Sequence, residues 1–277
     1  MAHSFKSKQR KEDHTLVVDF LNLAFRWKHQ GRSDYRFDIL QTVESLATSY
    51  KCSNIIITAD WGSSTYRRAL HPEYKANRTA LREKQTEQER MQFEEFIEEY
   101  EEALEVAAEK YAVLRFKGVE ADDIAAHLVK YRRPLGLGTI WLISSDRDWD
   151  LLIAEDVNRF SYVTRKEVTW ENWFDHYDVT PEQYISYKCL VGDTGDNVPG
   201  IAGIGPKRAQ GLLEQYRSAM DIYDATPISS KYKYIQSLND NADTILLNYE
   251  LMDLLTYCDE AIGADNIKAM EYQLHAS

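Results

Sequence analysis

The sequence predicts an α/β protein with a mostly parallel central sheet flanked by helices, followed by a C-terminal helical region. Three observations support this class. Four short apolar runs alternate with helical patterns, which is typical of βαβ units. Acidic residues follow each of these runs. From about residue 178 onward the apolar spacing is largely helical.

The predicted strands cover residues 16–18, 55–57, 113–114 and 140–143, which are apolar and rich in β-branched side chains. Three of these runs are followed closely by Asp19, Asp60 and Asp146. The third run is followed after a few residues by Glu120, Asp122 and Asp123. The functional crevice of an open α/β sheet lies at the carboxyl ends of its strands. We therefore expect these carboxylates to converge at one sheet edge.

Composition limits the kind of protein. The 277 residues, 44% of them hydrophobic, are sufficient for one large domain or two modest ones. Cys52, Cys189 and Cys258 lie far apart without a CxxC pair, which favours reduced thiols in a cytoplasmic protein. No apolar run approaches the ~18 residues of a membrane helix, and the polar N-terminus lacks a secretory signal. We therefore expect a cytoplasmic protein with no membrane partner.

Charge is unevenly distributed. The 33 Lys and Arg against 45 Asp and Glu give a net charge of −12, which by itself argues against a nucleic-acid partner. However, residues 66–84 carry six Lys and Arg against two Glu, whereas residues 87–109 carry ten Glu and one Arg. The acidic stretch has apolar residues at helical spacing and predicts an amphipathic helix with a solvated acidic face. The basic stretch is therefore a candidate anion-binding segment.

Nine carboxylates form a candidate metal site: Asp19, Asp60, Glu120, Asp122, Asp123, Asp146, Asp148, Asp193 and Asp196. A single Asp after a strand is usually a turn or cap residue, but the paired acids at 120–123, 146–148 and 193–196 are harder to explain in that way. Clustered carboxylates repel one another, and Mg²⁺ is held by few carboxylates plus waters. The set therefore predicts two or more divalent ions, which can activate a water for phosphoryl displacement. Asp150 is predicted to be structural, and Asp156 and Asp178 to be surface acids.

The turn around residues 193–209 contains Gly203-Ile-Gly205. A P-loop is excluded because Pro206 follows Gly205 and no Ser or Thr follows Lys207. A helix–hairpin–helix fits better, since the backbone N–H groups that open the next helix can receive a phosphate. Lys207 and Arg208 lie in the first turn of that helix. Such a turn binds the DNA backbone without reading sequence.

These residues resemble the 5′-nuclease superfamily, in particular bacteriophage 5′–3′ exonucleases of the flap-endonuclease type. The sequence is more distantly similar to the 5′-nuclease domain of bacterial DNA polymerase I. The resemblance extends from Val17 to about Cys258. It is carried by the motifs His71-Pro-Glu-Tyr-Lys-Ala-Asn-Arg78, Gly118-Val-Glu-Ala-Asp-Asp123, Ser144-Ser-Asp-Arg-Asp148 and Gly192-Asp-Thr-Gly-Asp-Asn-Val-Pro-Gly200.

The resemblance implies which residues hold the ions. One ion would be surrounded by Asp19, Asp60, Glu120 and Asp122. The second would be surrounded by Asp123, Asp146, Asp148, Asp193 and Asp196. Asp19 and Asp146 are then catalytic together with Lys75 and Arg78, which would lie beside the scissile phosphate. The cofactor implied is Mg²⁺, which Mn²⁺ can replace, with a K⁺ ion on backbone carbonyls of the helix–hairpin–helix.

The resemblance also implies a path for DNA. The basic segment would begin a helical arch through which a 5′ single strand passes, with Tyr74 stacked on a base. The DNA-binding residues implied are Arg26, Lys28, Tyr74, Lys75, Arg78, Lys188, Gly203, Gly205, Lys207 and Arg208. Phe20 departs from the family pattern, in which a small residue follows the first Asp, and is expected either to narrow the pocket or to repack its floor.

The implied organisation is a flexible tail at 1–14, an α/β nuclease core at 15–177 with the arch at about 67–110, and a helical region at 178–277 with the helix–hairpin–helix at about 193–213. The implied function is a monomeric, phage-encoded, Mg²⁺-dependent flap endonuclease and 5′–3′ exonuclease that acts on branched or 5′-ended DNA in the host cytoplasm. Three alternatives stay open: a non-catalytic junction-binding protein, a phosphatase with an aspartyl nucleophile at Asp19, and a nuclease that removes RNA primers.

Overall fold

A computed structural model describes residues 14–32 and 34–276. The expected flexible tail at 1–14 lies outside the described residues except for His14, which begins the first strand. No helix in the described part of the chain is both long and apolar enough to cross a membrane. The three cysteines are free thiols, in agreement with the expectation of reduced cysteines.

The centre of the fold is a six-stranded sheet of order β3-β2-β1-β4-β5-β6. Its strands are β1 (His14–Asp19), β2 (Cys52–Thr58), β3 (Ala112–Leu114), β4 (Ile140–Ile143), β5 (Val157–Ser161) and β6 (Lys166–Val168). The first five are parallel and β6 is antiparallel to β5. Val18 lies opposite both Ile57 and Ile143, so β1, β2 and β4 end at the same level. The prediction of a mostly parallel sheet is confirmed.

Between the strands of this sheet, the described part of the chain forms six α-helices: α1 (Phe20–His29), α2 (Arg36–Ser49), α3 (Thr65–Leu70), α4 (Ala76–Glu83), α5 (Glu87–Ala108) and α6 (Ala121–Lys130). Short 3₁₀ helices lie at Arg147–Leu152 and Trp173–Asp175. The predicted acidic helix is α5, which Thr86 and Glu89 cap reciprocally. It buries Phe96, Tyr100 and Leu104 and leaves most of its glutamates exposed, whereas Glu99 pairs with Arg36 and Glu101 with Arg115.

The C-terminal part is helical, as predicted. Its elements are α7 (Pro181–Val191), the short antiparallel strands β7 (Gly192–Asp193) and β8 (Val198–Pro199), α8 (Pro206–Tyr216), α9 (Ala219–Asp224), α10 (Lys233–Asp240), α11 (Asp243–Met252), α12 (Leu254–Ile262) and α13 (Ala264–Ala276). Thr180 caps α7 reciprocally with Gln183, and Pro181 opens its first turn.

Three apolar clusters form the core. Two lie on opposite faces of the sheet, as shown by Val18 and Val17, which alternate between them. The third joins Leu190 and Leu213 in the C-terminal helices to Trp173. Leu254, Cys258 and Met270 return to pack in the cluster that contains Val17. The C-terminal helices therefore pack directly against the core that positions the acidic residues.

Candidate active site

The carboxyl edge of the sheet brings together acids from four segments. Asp19 ends β1 and caps α1 by accepting a hydrogen bond from the Asn22 N–H at 3.1 Å. Asp60 follows β2 and accepts from the Ala121 N–H at 2.7 Å. Glu120 and Asp122 lie at the start of α6. Asp146 caps the 3₁₀ helix after β4. The convergence predicted from strand ends is therefore present.

Mutual repulsion and burial dominate the electrostatics of this group. Burial raises the pKa of Asp19 to about 8, and the negative charges of Asp60 and Asp146 contribute. Burial also raises the pKa of Asp60. The pKa of Asp122 is raised well above its ordinary value by burial and by Asp146. These carboxyl groups offer only oxygen atoms as ligands, and their raised pKa values show that they need a nearby positive charge to ionise. Both properties fit hard divalent cations.

A second group of acids is positioned by the glycine-rich turn. Asp193 lies in β7, where its Oδ1 accepts from the N–H groups of Gly195 and Asp196 at 2.8 and 3.2 Å. The β7–β8 ribbon requires glycine at two positions, because a Cβ at Gly192 would lie 2.2 Å from Gly200 N and one at Gly200 would lie 2.0 Å from Val191 O. Asp148 approaches from the 3₁₀ helix.

Lys188 connects this second group. Its Nζ contacts a carboxylate oxygen of Asp148 and lies 3.0 Å from Asp193 Oδ2. Burial opposes ionisation of Asp193, but Lys188 outweighs it and lowers the pKa of that carboxyl. Asp148 keeps a raised pKa because its burial outweighs Lys188. Lys188 is itself buried, so the structure places this predicted DNA contact among the acids.

Lys75 joins the two groups. Its Nζ lies 2.8 Å from Glu120 Oε1 and 3.5 Å from Asp196 Oδ2. Burial would raise the pKa of Glu120, but Lys75 and Arg67 outweigh it and the pKa is lowered. The Lys75 backbone has φ of +56° and its N–H donates to Asp196 O at 2.9 Å. The basic segment is thereby fixed to the glycine-rich turn.

Arg78 lies at the entrance to the same region. Its side chain is half-exposed, and its Nη2 lies 2.7 Å from Asp196 Oδ1. Together Lys75 and Arg78 place two cations next to the acids, and their position beside a scissile phosphate, which the resemblance implies, stays a prediction. Arg78 is the more accessible of the two.

Tyr74 requires a correction. It is buried, and its hydroxyl donates to Glu120 Oε2 at 3.0 Å and to Asp196 Oδ2 at 3.1 Å. The ring has no free face for a base, so the predicted stacking role is wrong for this structure. The side chain instead joins the acid after β3 to the acid of the glycine-rich turn.

Asp123 also requires a correction. Arg67 Nη1 donates to Asp123 Oδ2, and Arg67 Nη2 donates to Asp123 Oδ1, each at 2.7 Å. Both side chains are buried. The first turn of α6 directs Asp122 toward the acids and Asp123 toward α3. Asp123 is therefore an ion-pair partner and not a metal ligand. The sequence does not predict that Arg67 pairs with Asp123, because a basic run does not show which of its side chains is buried.

Three further supporting residues were not predicted. Ser144 Oγ donates to Asp19 Oδ2 at 2.9 Å and accepts from the Asp146 N–H at 3.1 Å. Asn22 Oδ1 accepts from the Ser145 N–H at 2.9 Å. Trp149 Nε1 donates to Asp122 Oδ1 at 2.6 Å. Ser144 lies within a quoted motif, but its orientation toward Asp19 requires the adjacency of β1 and β4.

The structure also decides the predictions for Asp150, Asp156, Asp178 and Phe20. Asp150 is buried and pairs with Arg159, which confirms a structural role, and Asp156 and Asp178 are exposed. Phe20 is fully buried against Tyr100, with ring centroids 5.8 Å apart. It therefore repacks the core and does not narrow the site.

A cavity of about 580 Å³ lies beside the first acid group. Its wall contains the acids Asp60 and Glu120 and a set of six cationic side chains: Lys28, Arg68, Lys75, Arg78, Arg82 and Arg115. Lys28 Nζ lies 4.5 Å from the Phe93 ring centre, and burial and Arg82 lower its pKa. Arg26 lies outside this wall and donates to the Tyr162 hydroxyl at 2.6 Å.

The predicted helix–hairpin–helix turn has the expected form. Gly203 has φ of +81° and Gly205 precedes α8 without a side-chain cap. Pro206 has no N–H, and the Arg208 and Ala209 N–H groups donate to Gly205 O at 3.0 Å, so the Lys207 N–H is the group of this first turn that is available to an anion. Lys207 is exposed. Arg208 Nη1 donates to Gly203 O at 2.5 Å, so this side chain holds the turn closed.

An acidic cluster at a sheet edge, a basic segment beside it and an anion-binding glycine turn define an enzyme of the nuclease class. Residues 14–180 match the family model for the 5′-3′ exonuclease N-terminal resolvase-like domain, and residues 179–275 match the model for the 5′-3′ exonuclease C-terminal SAM fold. The chain therefore belongs to the 5′-3′ exonuclease family.

Individual relatives agree with this assignment. The flap endonuclease of Escherichia phage T5 is 39% identical over 251 residues, which cover 90% of this chain and 86% of that protein. DNA polymerase I of Bacillus subtilis is 29% identical over 229 residues, and the match covers 80% of this chain and 24% of that longer protein. A solved structure of T5 5′-exonuclease with bound zinc superposes with a TM-score of 0.90 at 37% identity, covering 95% of this chain and 98% of that one.

Proposed function

We propose that this protein is a structure-selective DNA 5′-nuclease, acting as a flap endonuclease and 5′–3′ exonuclease. The observation that carries the proposal is the juxtaposition of repelling acids at the sheet edge with Lys75 and Arg78, which are already within ion-pair distance of Glu120 and Asp196. A phosphodiester placed there would meet both metal ligands and cationic donors. The T5 relative has been solved in a complex with DNA and metal ions, which supports the same substrate class.

The donor set fits divalent ions. Asp19, Asp60 and Asp122 present carboxylate oxygens whose pKa values are raised by burial, with neighbouring negative charges contributing. We assign the ligands to Asp19, Asp60, Glu120, Asp122, Asp146, Asp148, Asp193 and Asp196. When bound, two such ions would supply Lewis-acid activation of the scissile phosphate and of the attacking water.

The side chains around the ions orient the ligands and bind the phosphate. Ser144 and Asn22 orient Asp19. Lys75 and Arg78 donate to the phosphate oxygens as negative charge develops, and the loss of one such donor typically costs ~3–4 kcal/mol. Hydrolysis breaks the bond to the 3′ oxygen and leaves 5′-phosphate and 3′-hydroxyl products. Glu120 and Asp196 hold both cations in place before DNA arrives.

The two ends of the substrate have separate binding surfaces. The cavity of about 580 Å³ beneath α4 and α5, with its six cationic side chains, fits a 5′ single strand. The N-terminus of α8 with Lys207 fits the backbone of the downstream duplex. A junction that engages both surfaces places its branch point at the acids, which accounts for selectivity by structure rather than sequence.

The finer assignments belong to the same proposal. Residues 15–177 form the nuclease core with an arch at about 67–110, and residues 178–277 form the helical region with the helix–hairpin–helix at about 193–213. Mg²⁺ is the working ion, Mn²⁺ substitutes for it, and K⁺ binds the backbone of the glycine turn. The protein is a phage-encoded monomer that works in the host cytoplasm.

The test is cleavage of an end-labelled 5′-flap duplex with and without Mg²⁺, mapped at nucleotide resolution. We expect Mg²⁺-dependent cutting within about one nucleotide of the junction, abolished by Asp146→Asn combined with Asp148→Asn. Tight binding with no cutting in Mg²⁺, Mn²⁺ or Co²⁺ would establish a junction-binding protein instead. Faster cutting of an RNA flap would favour primer removal, and labelled phosphate trapped on Asp19 would indicate a phosphatase.

A further inference from the structure

A second cavity, of about 360 Å³, connects the acidic cluster to the glycine turn. Its wall contains the acids Asp148 and Asp193, Pro206 and Lys207 at the start of α8, and the cations Arg147 and Lys188. It is therefore separate from the cavity beneath the arch helices. The cavity is thus a surface on which a DNA strand could contact both the acids and the N-terminus of α8.

Arg147 is an accessible cation of this cavity that forms no ion pair with a described residue. The side chain is exposed, and in the described residues it takes part in no ion pair, whereas Lys188 is paired with two carboxylates. Its guanidinium lies over the Tyr177 ring, 5.1 Å from the ring centre. Stacking uses the face of the guanidinium, and Nε donates to the Tyr177 hydroxyl, so Nη1 and Nη2 stay free for a bidentate contact.

Arg147 is held by a buried network. Its Nε donates to the Tyr177 hydroxyl at 3.3 Å, and that hydroxyl in turn donates to Asp150. Asp150 is fixed by Arg159, with 2.8 Å between Arg159 Nη2 and Asp150 Oδ2. Burial raises the pKa of Tyr177, so the phenol stays protonated and keeps its donor role.

The network is anchored to the active site itself. Arg159 Nη1 donates to the Ser144 carbonyl at 2.9 Å, and Ser144 Oγ contacts both Asp19 and the Asp146 backbone. Arg147 lies between two predicted ligands in sequence, Asp146 and Asp148. Its position relative to the acids is therefore fixed by the same contacts that orient them.

We propose that Arg147 binds a backbone phosphate of the DNA strand running from the acidic cluster to the glycine turn, and so determines which phosphodiester bond reaches the acids. This inference rests on the proposed nuclease function. A planar guanidinium held on an aromatic ring gives a fixed distance between that phosphate and the cluster. Lys207 would hold a later phosphate of the same strand on the wall of the same cavity.

The first experiment measures binding of a 5′-flap duplex to the full-length protein in EDTA and in Ca²⁺, by fluorescence anisotropy over a range of salt concentrations. Arg147→Ala should raise Kd by roughly tenfold and flatten the slope of log K against log salt by about 0.9, as expected for one lost phosphate contact. Arg147→Lys should recover the salt slope but not the full affinity, since lysine lacks the planar fork. Arg133→Ala is the matched control, because Arg133 is exposed in the loop before β4, at the opposite sheet edge.

The second experiment separates DNA binding from a purely structural role. Tyr177→Phe keeps the ring but removes the hydroxyl, and we expect about threefold weaker binding and a wider spread of cut positions in Mg²⁺. Arg147→Ala should likewise spread the cut positions and raise KM more than it lowers kcat. Thermal unfolding of each variant is measured in parallel.

The inference is overturned if Arg147→Ala leaves Kd, salt slope and cut position unchanged, or if it lowers only the Tm. Failure of the nuclease function has a different signature. In that case the wild-type protein would bind the flap duplex without cutting it, and the Kd and salt slope of the variants would still decide whether Arg147 contacts a phosphate.

Discussion

The raised pKa of Asp19 makes a quantitative prediction for the metal-free protein. Burial raises this pKa from 3.8 to about 8, with a further contribution from Asp60. The folded state therefore binds this proton more tightly than the unfolded chain, so the associated stability is fully present below about pH 4 and is lost as the pH rises through 8. At 1.36 kcal/mol per pKa unit, the loss between pH 5 and pH 8 is about 4 kcal/mol.

Asp19→Asn removes this titration and preserves the local structure. Asparagine is as good an N-cap as aspartate, because its Oδ1 can still accept from the Asn22 N–H, while its Nδ2 can donate to Ser144 Oγ in place of the bond that Asp19 Oδ2 accepts. In urea unfolding at pH 5, 6, 7 and 8 with EDTA, the wild-type free energy of unfolding should fall by about 4 kcal/mol more than that of the variant. Asp156→Asn, at an exposed surface acid, should follow the wild type.

Addition of Mg²⁺ supplies the second arm of this assay. Ions that bind only the folded state raise its stability, and they should do so most at pH 8, where the acids lack counter-charge. Asp19→Asn should gain less from the same Mg²⁺ concentration. Parallel pH curves for wild type and Asp19→Asn in EDTA would refute the reasoning, because Asp19 would then ionise in the folded protein as easily as in the unfolded chain.

Three further predictions concern neighbouring side chains. Lys75→Ala should slow single-turnover flap cleavage at least about 100-fold because a phosphate donor is lost, with Kd in Ca²⁺ as the comparison. Tyr74→Phe should slow cleavage about tenfold and leave Kd unchanged, because its hydroxyl holds Glu120 and Asp196. Asp123→Asn should lower the free energy of unfolding by about 3–5 kcal/mol, since it leaves the buried Arg67 charge without its partner, and leave calorimetric Mg²⁺ affinity unchanged.

Each of these three predictions has a control or a result that would contradict it. Lys110→Ala, an exposed cation paired with Glu44, is the control for Lys75 and should leave the cleavage rate unaltered. If Tyr74→Phe binds DNA more weakly but cleaves it at an unchanged rate, Tyr74 contacts DNA directly. Loss of Mg²⁺ binding by a folded Asp123→Asn protein would return Asp123 to the ligand set.

The edge of the sheet could be predicted because it follows from strand order along the chain. An apolar run followed by Asp gives both the strand and its carboxyl end, as for β1 with Asp19. β5 and β6 were not predicted because Asn158 and Arg159 interrupt the apolar pattern. Arg159 is nevertheless buried, since Asp150 pairs with it. A local hydrophobic pattern cannot reveal a charge neutralised by a side chain nine residues away.

The directions in which side chains point are harder to predict from the sequence than the position of the sheet edge. Asp122 and Asp123 are adjacent, and one helical step turns them toward different partners, the acidic cluster and Arg67. Tyr74 is similar, because only the packing of α3 and the glycine-rich turn shows that its hydroxyl lies between Glu120 and Asp196. Motif membership predicts that such residues lie near the site. It does not distinguish a ligand from the residue that supports it.

The arrangement of paired and unpaired cations explains how a chain of net charge −12 can bind a polyanion. Lys75 and Lys188 each bridge two carboxylates, so they neutralise the cluster and add little to the field outside it. The cations left for DNA are exposed ones at the rims of the two cavities, including Arg82, Arg147 and Lys207. The excess acid lies largely on α5, most of whose glutamates are exposed. Because screening limits charge effects to about 10 Å at 0.1 M salt, the local surfaces and not the net charge determine where a phosphate backbone binds.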